Sequence, residues 1–278
     1  LGAFIIMMLS VTISAYKWQI MLKLHGVHFS ISKLHRYYFI AVFFNNFLPT
    51  SIGGDGYRIY KTSGNSRSTS SSVIAVVMER LTGIIALLAI GYLCSIIVYH
   101  ARGDEVSGLL LGLGTAGIAA TLVAALFFVF LRGYQRLKRW QNKPKLLQIV
   151  LEHGKDYLRQ PKASAYVMLI SFYFHVHNSL TFYLLLRYGA DVTISIPELF
   201  VVLTLVNLVG VLPISINGLG VVDTAFVFLL GIYGVDSDSA LSVMLITRML
   251  LILLSIIGEG FYLSEKRDLP KQVQSPES

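Results

Sequence analysis

The sequence predicts an all-α polytopic membrane protein, built as an inverted repeat around two re-entrant hairpins that Pro and Gly break. Three observations lead to this fold class: an apolar composition, a duplicated Pro/Gly stretch and an uneven distribution of basic residues. Of the 278 residues, 55% are hydrophobic and only 14% are charged. A soluble protein carries about 25% charged residues, so the composition excludes an ordinary soluble domain.

Apolar runs recur along the chain near the length of about 20 residues that a membrane-spanning helix needs. The runs are Leu1–Tyr16, Ser72–Tyr99, Val106–Leu131, Ala163–Leu186 and Ala240–Leu263. Lys17, Trp18 and Lys23 lie near the end of the first helix, Leu1–Leu24, where interfacial anchors are expected. We therefore expect a single transmembrane domain over residues 1–264, followed by a polar C-terminal tail over residues 265–278.

Two nearly identical stretches interrupt the apolar sequence. Residues 48–56 (LPTSIGGDG) recur as residues 212–220 (LPISINGLG), with six of nine positions identical at an offset of 164. Pro removes a backbone donor and Gly permits positive φ, so each stretch should break a helix. Lipid cannot satisfy the freed N–H and C=O groups, which must be buried in protein or line a wet cavity. Such breaks in both halves of a chain point to a transporter's binding site.

The repeat extends beyond these two stretches. Repeat 1 covers about residues 1–100 and repeat 2 about residues 164–264, with a length change of four residues after the breaks. Residues 37–48 are too short to span a membrane, so we expect residues 37–61 and about 197–234 to re-enter without crossing. Three predicted spans separate the two hairpins, and an odd number inverts the second repeat relative to the first.

Basic residues fix the predicted orientation. Residues 132–162 hold nine Lys and Arg against two acidic residues, which indicates a cytoplasmic loop facing anionic lipid and not a nucleic-acid site. Residues 62–72 should form a flexible loop on the same side. The other basic residues expected there are Lys17, Lys23, Lys33, Arg36, Lys61, Arg67, Lys266, Arg267 and Lys271. The opposite side would hold Arg102, Arg187, Asp104, Glu105, Asp191, Glu198, Asp236 and Asp238.

An ordered set of motifs resembles the lysylphosphatidylglycerol synthase transmembrane-region family, also called the flippase-like domain family. The motifs are Asn45-Asn46-Phe47-Leu48-Pro49, Gly53-Gly54-Asp55 with Arg58, Glu79-Arg80-Leu81, Leu212-Pro213 and Gly218-Leu219-Gly220. The resemblance implies a role in moving aminoacylated phospholipid between leaflets of a prokaryotic plasma membrane. It also implies that Asp223 is the family's acidic residue after the second stretch, whereas Asn217 stands where a Gly is usual. Family members often continue into a cytoplasmic aminoacyl-transferase domain, which we expect to be absent here because the chain ends soon after its last predicted helix.

The site hypothesis places two half-helices end to end near the middle of the membrane. Their N-termini would favour a phosphate group, and Arg58 would offer it a planar fork. Asp55 would bind an amine, balance Arg58 or form a purely structural ion pair with it. Arg80 and Arg248 approach the midplane, where they would bind substrate or hairpin carbonyls. The full predicted substrate-binding set is Asn45, Asn46, Pro49, Gly53, Gly54, Asp55, Arg58, Glu79, Arg80, Asn207, Pro213, Gly218, Gly220, Asp223 and Arg248.

Three functions remain open from the sequence. The leading one is a lipid flippase or translocase for a phosphate-bearing lipid, aminoacylated or not. The second is a membrane enzyme that transfers a group to or from a lipid carrier, with Asp55 or Glu79 as general base. The third is a non-transporting partner of a separate lipid-modifying transferase. The sequence contains no metal constellation, nucleotide-binding loop or nucleophile–base pair, so no cofactor or metal is expected and the enzyme reading is disfavoured.

Overall fold

The computed structural model describes residues 1–47, 53–64, 66–112, 114, 160–211 and 218–267, and these residues form helices without any strand. The helices are α1 (Gly2–Leu24), α2 (Ile31–Phe47), α3 (Gly53–Thr62), α4 (Ser66–Arg102), α5 (Pro161–Leu184), α6 (Ile196–Val211), α7 (Val221–Ile232) and α8 (Ser237–Arg267). Residues 105–112 are also helical, and a single π-helical turn, Leu185–Gly189, extends α5. The predicted all-α class is confirmed.

Three of the described helices are long and apolar enough to cross a membrane. They are Gly2–Leu24, Thr69–Arg102 and Ser237–Lys266, which confirms an integral membrane protein. Helix α5 occupies the fourth predicted span but does not reach the apolarity of these three. Most of the predicted span 106–131, almost all of the basic loop 132–162 and the end of the polar tail lie outside the described residues.

Two helices begin earlier than the sequence predicts. The sequence predicts a short polar connection over His25–Arg36, but helix α2 starts within it at Ile31. Helix α4 starts at Ser66, within the expected flexible loop 62–72. Ser and Thr are weak helix formers, but Ser71 and Ser72 are buried against neighbouring helices, and tertiary packing overrides weak propensity. The loop prediction was therefore wrong for most of its length. Because α4 starts early, Arg80 lies about 21 Å from the beginning of its helix.

The predicted interfacial anchors of α1 are also partly wrong. Lys17 is 6% exposed and Trp18 is completely buried, whereas Lys23 is exposed as expected. Helix α1 packs against α2, α4 and α5, so the face that carries Lys17 and Trp18 is enclosed by protein. A helix in the middle of a bundle cannot use that face to reach the membrane surface.

The first broken segment forms an antiparallel helical hairpin. The Tyr57 ring of α3 lies 5.3 Å from the Phe44 ring and 6.2 Å from the Tyr37 ring, so α3 packs along α2. Both open ends of this hairpin contact the end of α8: Arg36 lies 6.0 Å from the Phe261 ring, and Lys61 binds Glu265 at 2.6 Å. The two open ends of the hairpin therefore lie together at the end of α8.

The second hairpin, α6 and α7, has its open ends at Arg102. Glu198 near the start of α6 binds Arg102 at 2.5 Å, and the Tyr233 ring just after α7 lies 5.9 Å from the same guanidinium. Arg102 ends α4, a helix of 37 residues whose length is about 55 Å. Since α4 begins next to the end of α3, the two hairpins open at opposite ends of this helix.

Each hairpin packs through a glycine contact against a long helix, α2 against α8 and α6 against α4. A Cβ at Gly258 in α8 would collide with the carbonyl oxygen of Phe39 in α2, and a Cβ at Gly91 in α4 would collide with Thr204 in α6. Small residues allow two membrane helices to approach closely and gain dispersion contacts. The first half of each hairpin is thus fixed against a long spanning helix.

Candidate functional site

A cavity of about 280 Å³ lies between the first hairpin and helices α1, α4 and α5. Its lining combines charged and polar side chains with the aliphatic and aromatic ones expected in a membrane bundle. The lining residues are Ile13, Ser14, Lys17, Tyr38, Ala41, Asn45, Asp55, Arg58, Glu79, Arg80, Gly83, Phe174 and His175. Five charged side chains therefore meet in one cavity inside an apolar protein.

Four of these charged residues form a continuous ion-pair network. Asp55 receives Arg58 on Oδ1 and Arg80 on Oδ2, each at 2.5 Å. Arg58 also binds Glu79 Oε2 at 2.6 Å. The spacing of three residues places Asp55 and Arg58 on one face of α3. The neighbours Glu79 and Arg80 point about 100° apart on α4, so each reaches a different member of the α3 pair.

Arg58 is the buried centre of this network. Its residue is 3% exposed, and its guanidinium lies 4.5 Å from the Tyr38 ring centre and 5.0 Å from that of Trp18. Tyr38 also donates a hydrogen bond of 2.9 Å to Glu79 Oε1. The Asp55–Arg58 ion pair left open by the sequence therefore forms. By contrast the Arg80 side chain is 49% exposed, so Arg80 is the more accessible of the two arginines.

Lys17 is a cavity residue that the sequence interpretation missed. Its ammonium donates a 2.9 Å hydrogen bond to the backbone carbonyl of Glu79. Nearby, His175 Nε2 donates to the carbonyl of Gly83 at 2.9 Å. One signal was available in the sequence: Lys17 lies about 10 Å before the end of α1, deeper than an interfacial anchor, and an intramembrane charge is a functional candidate.

The protein itself satisfies the backbone near the first helix break. Asn45 Oδ1 accepts a hydrogen bond of 2.8 Å from the Gly54 N–H, and a Cβ on Gly54 would collide with the carbonyl oxygen of Ala41. Asn46 donates to Ser255 Oγ at 3.0 Å and so ties α2 to α8. The half-helix N–H at Gly54 is thus occupied by a protein acceptor. Gly53 begins α3, and Pro49 lies outside the described residues.

The second hairpin has its own ion pair, between α7 and α8 and outside this cavity. Asp223 accepts from the Gly220 N–H at 2.9 Å, which caps α7, and binds Arg248 at 3.0 Å. Gly218 and Gly220 both have positive φ, as expected for a sharp turn. Asn207 donates to Leu203 of its own helix at 2.6 Å. None of these residues lines the 280 Å³ cavity, and Pro213 lies outside the described residues.

The structure also changes how the two stretches correspond. The sequence match pairs Gly54 with Gly218, but Gly54 lies inside the first turn of α3 whereas Gly218 precedes α7. The starts of these helices, Gly53 and Val221, differ by 168 positions. The extra four residues of the second copy therefore lie before α7.

The comparison with protein families decides the relationship that the motifs indicated. The model of the lysylphosphatidylglycerol synthase TM region matches residues 1–258. The chain belongs to this family. It is therefore an integral membrane protein linked to lipid modification or lipid flipping. The matched residues include every residue that lines the cavity and both Pro/Gly stretches. A search of curated proteins and a search of solved structures each found no match.

Proposed function

We propose that this protein moves a phosphate-bearing lipid, aminoacylated or not, between the two leaflets of a prokaryotic plasma membrane. The observation that carries the proposal is the cavity with five charged side chains between the first hairpin and three neighbouring helices. Charges inside a membrane protein are costly and are retained at sites that handle polar substrates. Packing of apolar helices has no need for them, so a polar head group is the best account of the cavity.

The route for the head group follows from two re-entrant hairpins in an inverted repeat. This arrangement is supported by the contacts of the open hairpin ends, with Lys61 at Glu265 and Glu198 at Arg102. Hairpins that enter from opposite ends can open alternately to the two sides while the lipid tails stay in the membrane. Family membership adds a biochemical context, in which a separate lipid-modifying transferase would supply the substrate.

Each charged residue has a separate role in this proposal. Arg80 is half exposed and receives the phosphate at the cavity opening. Arg58 is enclosed by Asp55, Glu79 and two aromatic rings, so it keeps the carboxylates in position. Asp55 and Glu79 line the cavity and would also face the amine of an aminoacylated lipid. Asn45 holds the hairpin break beside them.

The enzyme alternative finds less support. A general base needs an available carboxylate, but Asp55 and Glu79 both bind arginine side chains at 2.5–2.6 Å. An arginine partner stabilises the ionised carboxylate and makes it a poor proton acceptor. The same ion pairs suit a transporter, because its side chains keep their charges throughout a transport cycle.

Reconstitution into liposomes tests the proposal. The parent protein should accelerate the exchange of fluorescent phospholipids between leaflets above protein-free liposomes, measured by quenching of the outer leaflet. Arg80→Ala should lose most of this activity while remaining folded, because its side chain is exposed to the cavity opening. Arg187→Ala removes an arginine of similar exposure away from the cavity and should behave as the parent. Exchange at the protein-free rate, or equal exchange by parent and Arg80→Ala, would contradict the proposal.

A further inference from the structure

We propose that the Lys17 ammonium binds a phosphate oxygen of the head group and thereby selects lipids whose head group is a net anion. This inference rests on the proposed lipid transport and deepens it by naming a specificity residue and a substrate class. The ammonium of an aminoacyl group would cancel the phosphate charge, so of the two substrates left open above the inference selects the lipid without one. Four observations carry it: the charge balance of the cavity, the hydrogen bonding of Lys17, the asymmetry between the two repeats and the size of the cavity.

The charge balance identifies Lys17 as the surplus cation. Arg58 and Arg80 are matched by Asp55 and Glu79, and all four belong to the ion-pair network. Lys17 lines the same cavity, where its ammonium binds a neutral backbone carbonyl. The cavity therefore holds one more positive charge than negative ones, which matches the single negative charge of a phosphodiester.

The hydrogen bonding of Lys17 leaves room for an oxyanion. A lysine ammonium has three donors, and among the described residues its one acceptor is the Glu79 carbonyl oxygen at 2.9 Å. The residue is 94% buried, since 6% of it is exposed. The carboxylate that attracts Lys17, Glu79, is already bound by Arg58 at 2.6 Å, so a phosphate oxygen would supply a counter-charge and an acceptor of its own.

The two repeats differ at the positions that would make this site. At the offset of 168 that relates the starts of α3 and α7, Arg58 corresponds to Phe226 and Glu79 to Thr247. At the offset of 164 that relates the two Pro/Gly stretches, Lys17 corresponds to Thr181. Only the ion pair Asp55–Arg80 recurs, as Asp223–Arg248. Asp223 and Arg248 do not line the cavity, whereas Lys17, Arg58 and Glu79 are charges that the cavity adds to the pair Asp55–Arg80.

The cavity has the size of a head-group site. Small-molecule pockets have volumes of about 300–1,000 Å³, and this cavity of about 280 Å³ lies at their lower limit. It can hold a phosphodiester with a small alcohol, while the acyl chains remain in the membrane. The buried Lys17 and the half-exposed Arg80, which line the same cavity, would then contact the same phosphate group.

Binding to the purified full chain in detergent tests the proposal without transport. Dihexanoyl phosphatidylglycerol, a net anion, should raise the melting temperature, whereas dihexanoyl phosphatidylcholine with identical tails should raise it less. Lys17→Met should bind phosphatidylglycerol about tenfold or more weakly, the effect of losing one charge-assisted hydrogen bond. Without lipid it should be at least as stable as the parent, because an apolar side chain replaces a buried charge. Lys23→Met, on the same helix but exposed, is the matched control and should change neither property.

Other outcomes separate this inference from its alternatives. Equal stabilisation by both lipids, or unchanged phosphatidylglycerol affinity in Lys17→Met, overturns it. Loss of stability without lipid in both Lys17→Met and Lys17→Gln makes the ammonium a structural group and also overturns it. Equal stabilisation by inorganic phosphate, dependent on Lys17, overturns the lipid selection and identifies a free-phosphate site. Lys17-dependent lipid binding without leaflet exchange would refute transport alone, and normal exchange by Lys17→Met would refute this inference alone.

Discussion

Asp223 binds Arg248 at 3.0 Å, and the two residues stand 25 positions apart in the chain. Asp55 and Arg80 form the same kind of pair at the same spacing in the first half of the chain. In both cases the acid lies in the first turn of the returning half of a hairpin, and the arginine lies on the long helix that follows. The duplicated ion pair therefore fastens each hairpin to its own spanning helix.

Removing the two acids should have unequal effects on stability. Asp55→Asn leaves Arg58 and Arg80 without their shared carboxylate and should cost about 3–5 kcal/mol, the usual effect of breaking a buried ion pair. Asp223→Asn affects one arginine in a more exposed pair and should cost less. Melting temperatures in one detergent give the comparison, with Asp191→Asn as an exposed control. A larger loss for Asp223→Asn would contradict the proposed order.

The close contact at Gly54 predicts sensitivity to a single methyl group. Gly54→Ala would push Cβ into the Ala41 carbonyl oxygen and should destabilise the protein by about 1–3 kcal/mol. Gly56→Ala, in the same helix, meets no atom within 4 Å and should be neutral or stabilising by up to about 1 kcal/mol. Thermal unfolding of the two variants measures the difference. Equal melting temperatures for Gly54→Ala and Gly56→Ala would contradict the close contact between Gly54 and Ala41.

The crossing of α2 and α8 provides a second matched pair of glycines. Gly258→Ala would collide with the Phe39 carbonyl and should separate the two helices, lowering the melting temperature. Gly260→Ala lies in the same helix with no atom within 4 Å and should be neutral or slightly stabilising through its better helix propensity. Folded yield after detergent extraction serves as an independent measure. An unchanged melting temperature and folded yield in Gly258→Ala would contradict the close crossing of α2 and α8.

The contacts of the hairpin ends predict which positions share a side of the membrane. In a Cys94→Ala background, cysteines introduced at Tyr60 and Lys266 should react with an impermeant reagent from one side. Cysteines at Asp191 and Asp236 should react from the other side. Labelling of intact cells and of inverted vesicles distinguishes the two. Reaction of Tyr60→Cys and Lys266→Cys from opposite sides would refute the re-entrant first hairpin.

The sequence by itself determined the fold class and the breaks in it. Composition and apolar runs were sufficient for an all-α membrane protein, because lipid permits few other ways to pair backbone groups. The ordered motifs also led to the correct family, since they occur along the chain as a set. Helix starts were predicted less well, because the Ser-rich start of α4 depends on burial and not on local propensity.

Only the tertiary structure decided which charges meet and in what roles. Periodicity shows that Lys17 shares a helix with Trp18, but the packing of α1 against α4 brings its ammonium to the Glu79 carbonyl. The sequence match likewise paired Gly54 with Gly218 at an offset of 164, whereas the helix starts and the ion-paired residues of the two hairpins lie 168 positions apart. The physical reason is that apolar periodicity is a property of one helix, whereas a buried charge finds its partners on other helices, which sequence spacing does not encode.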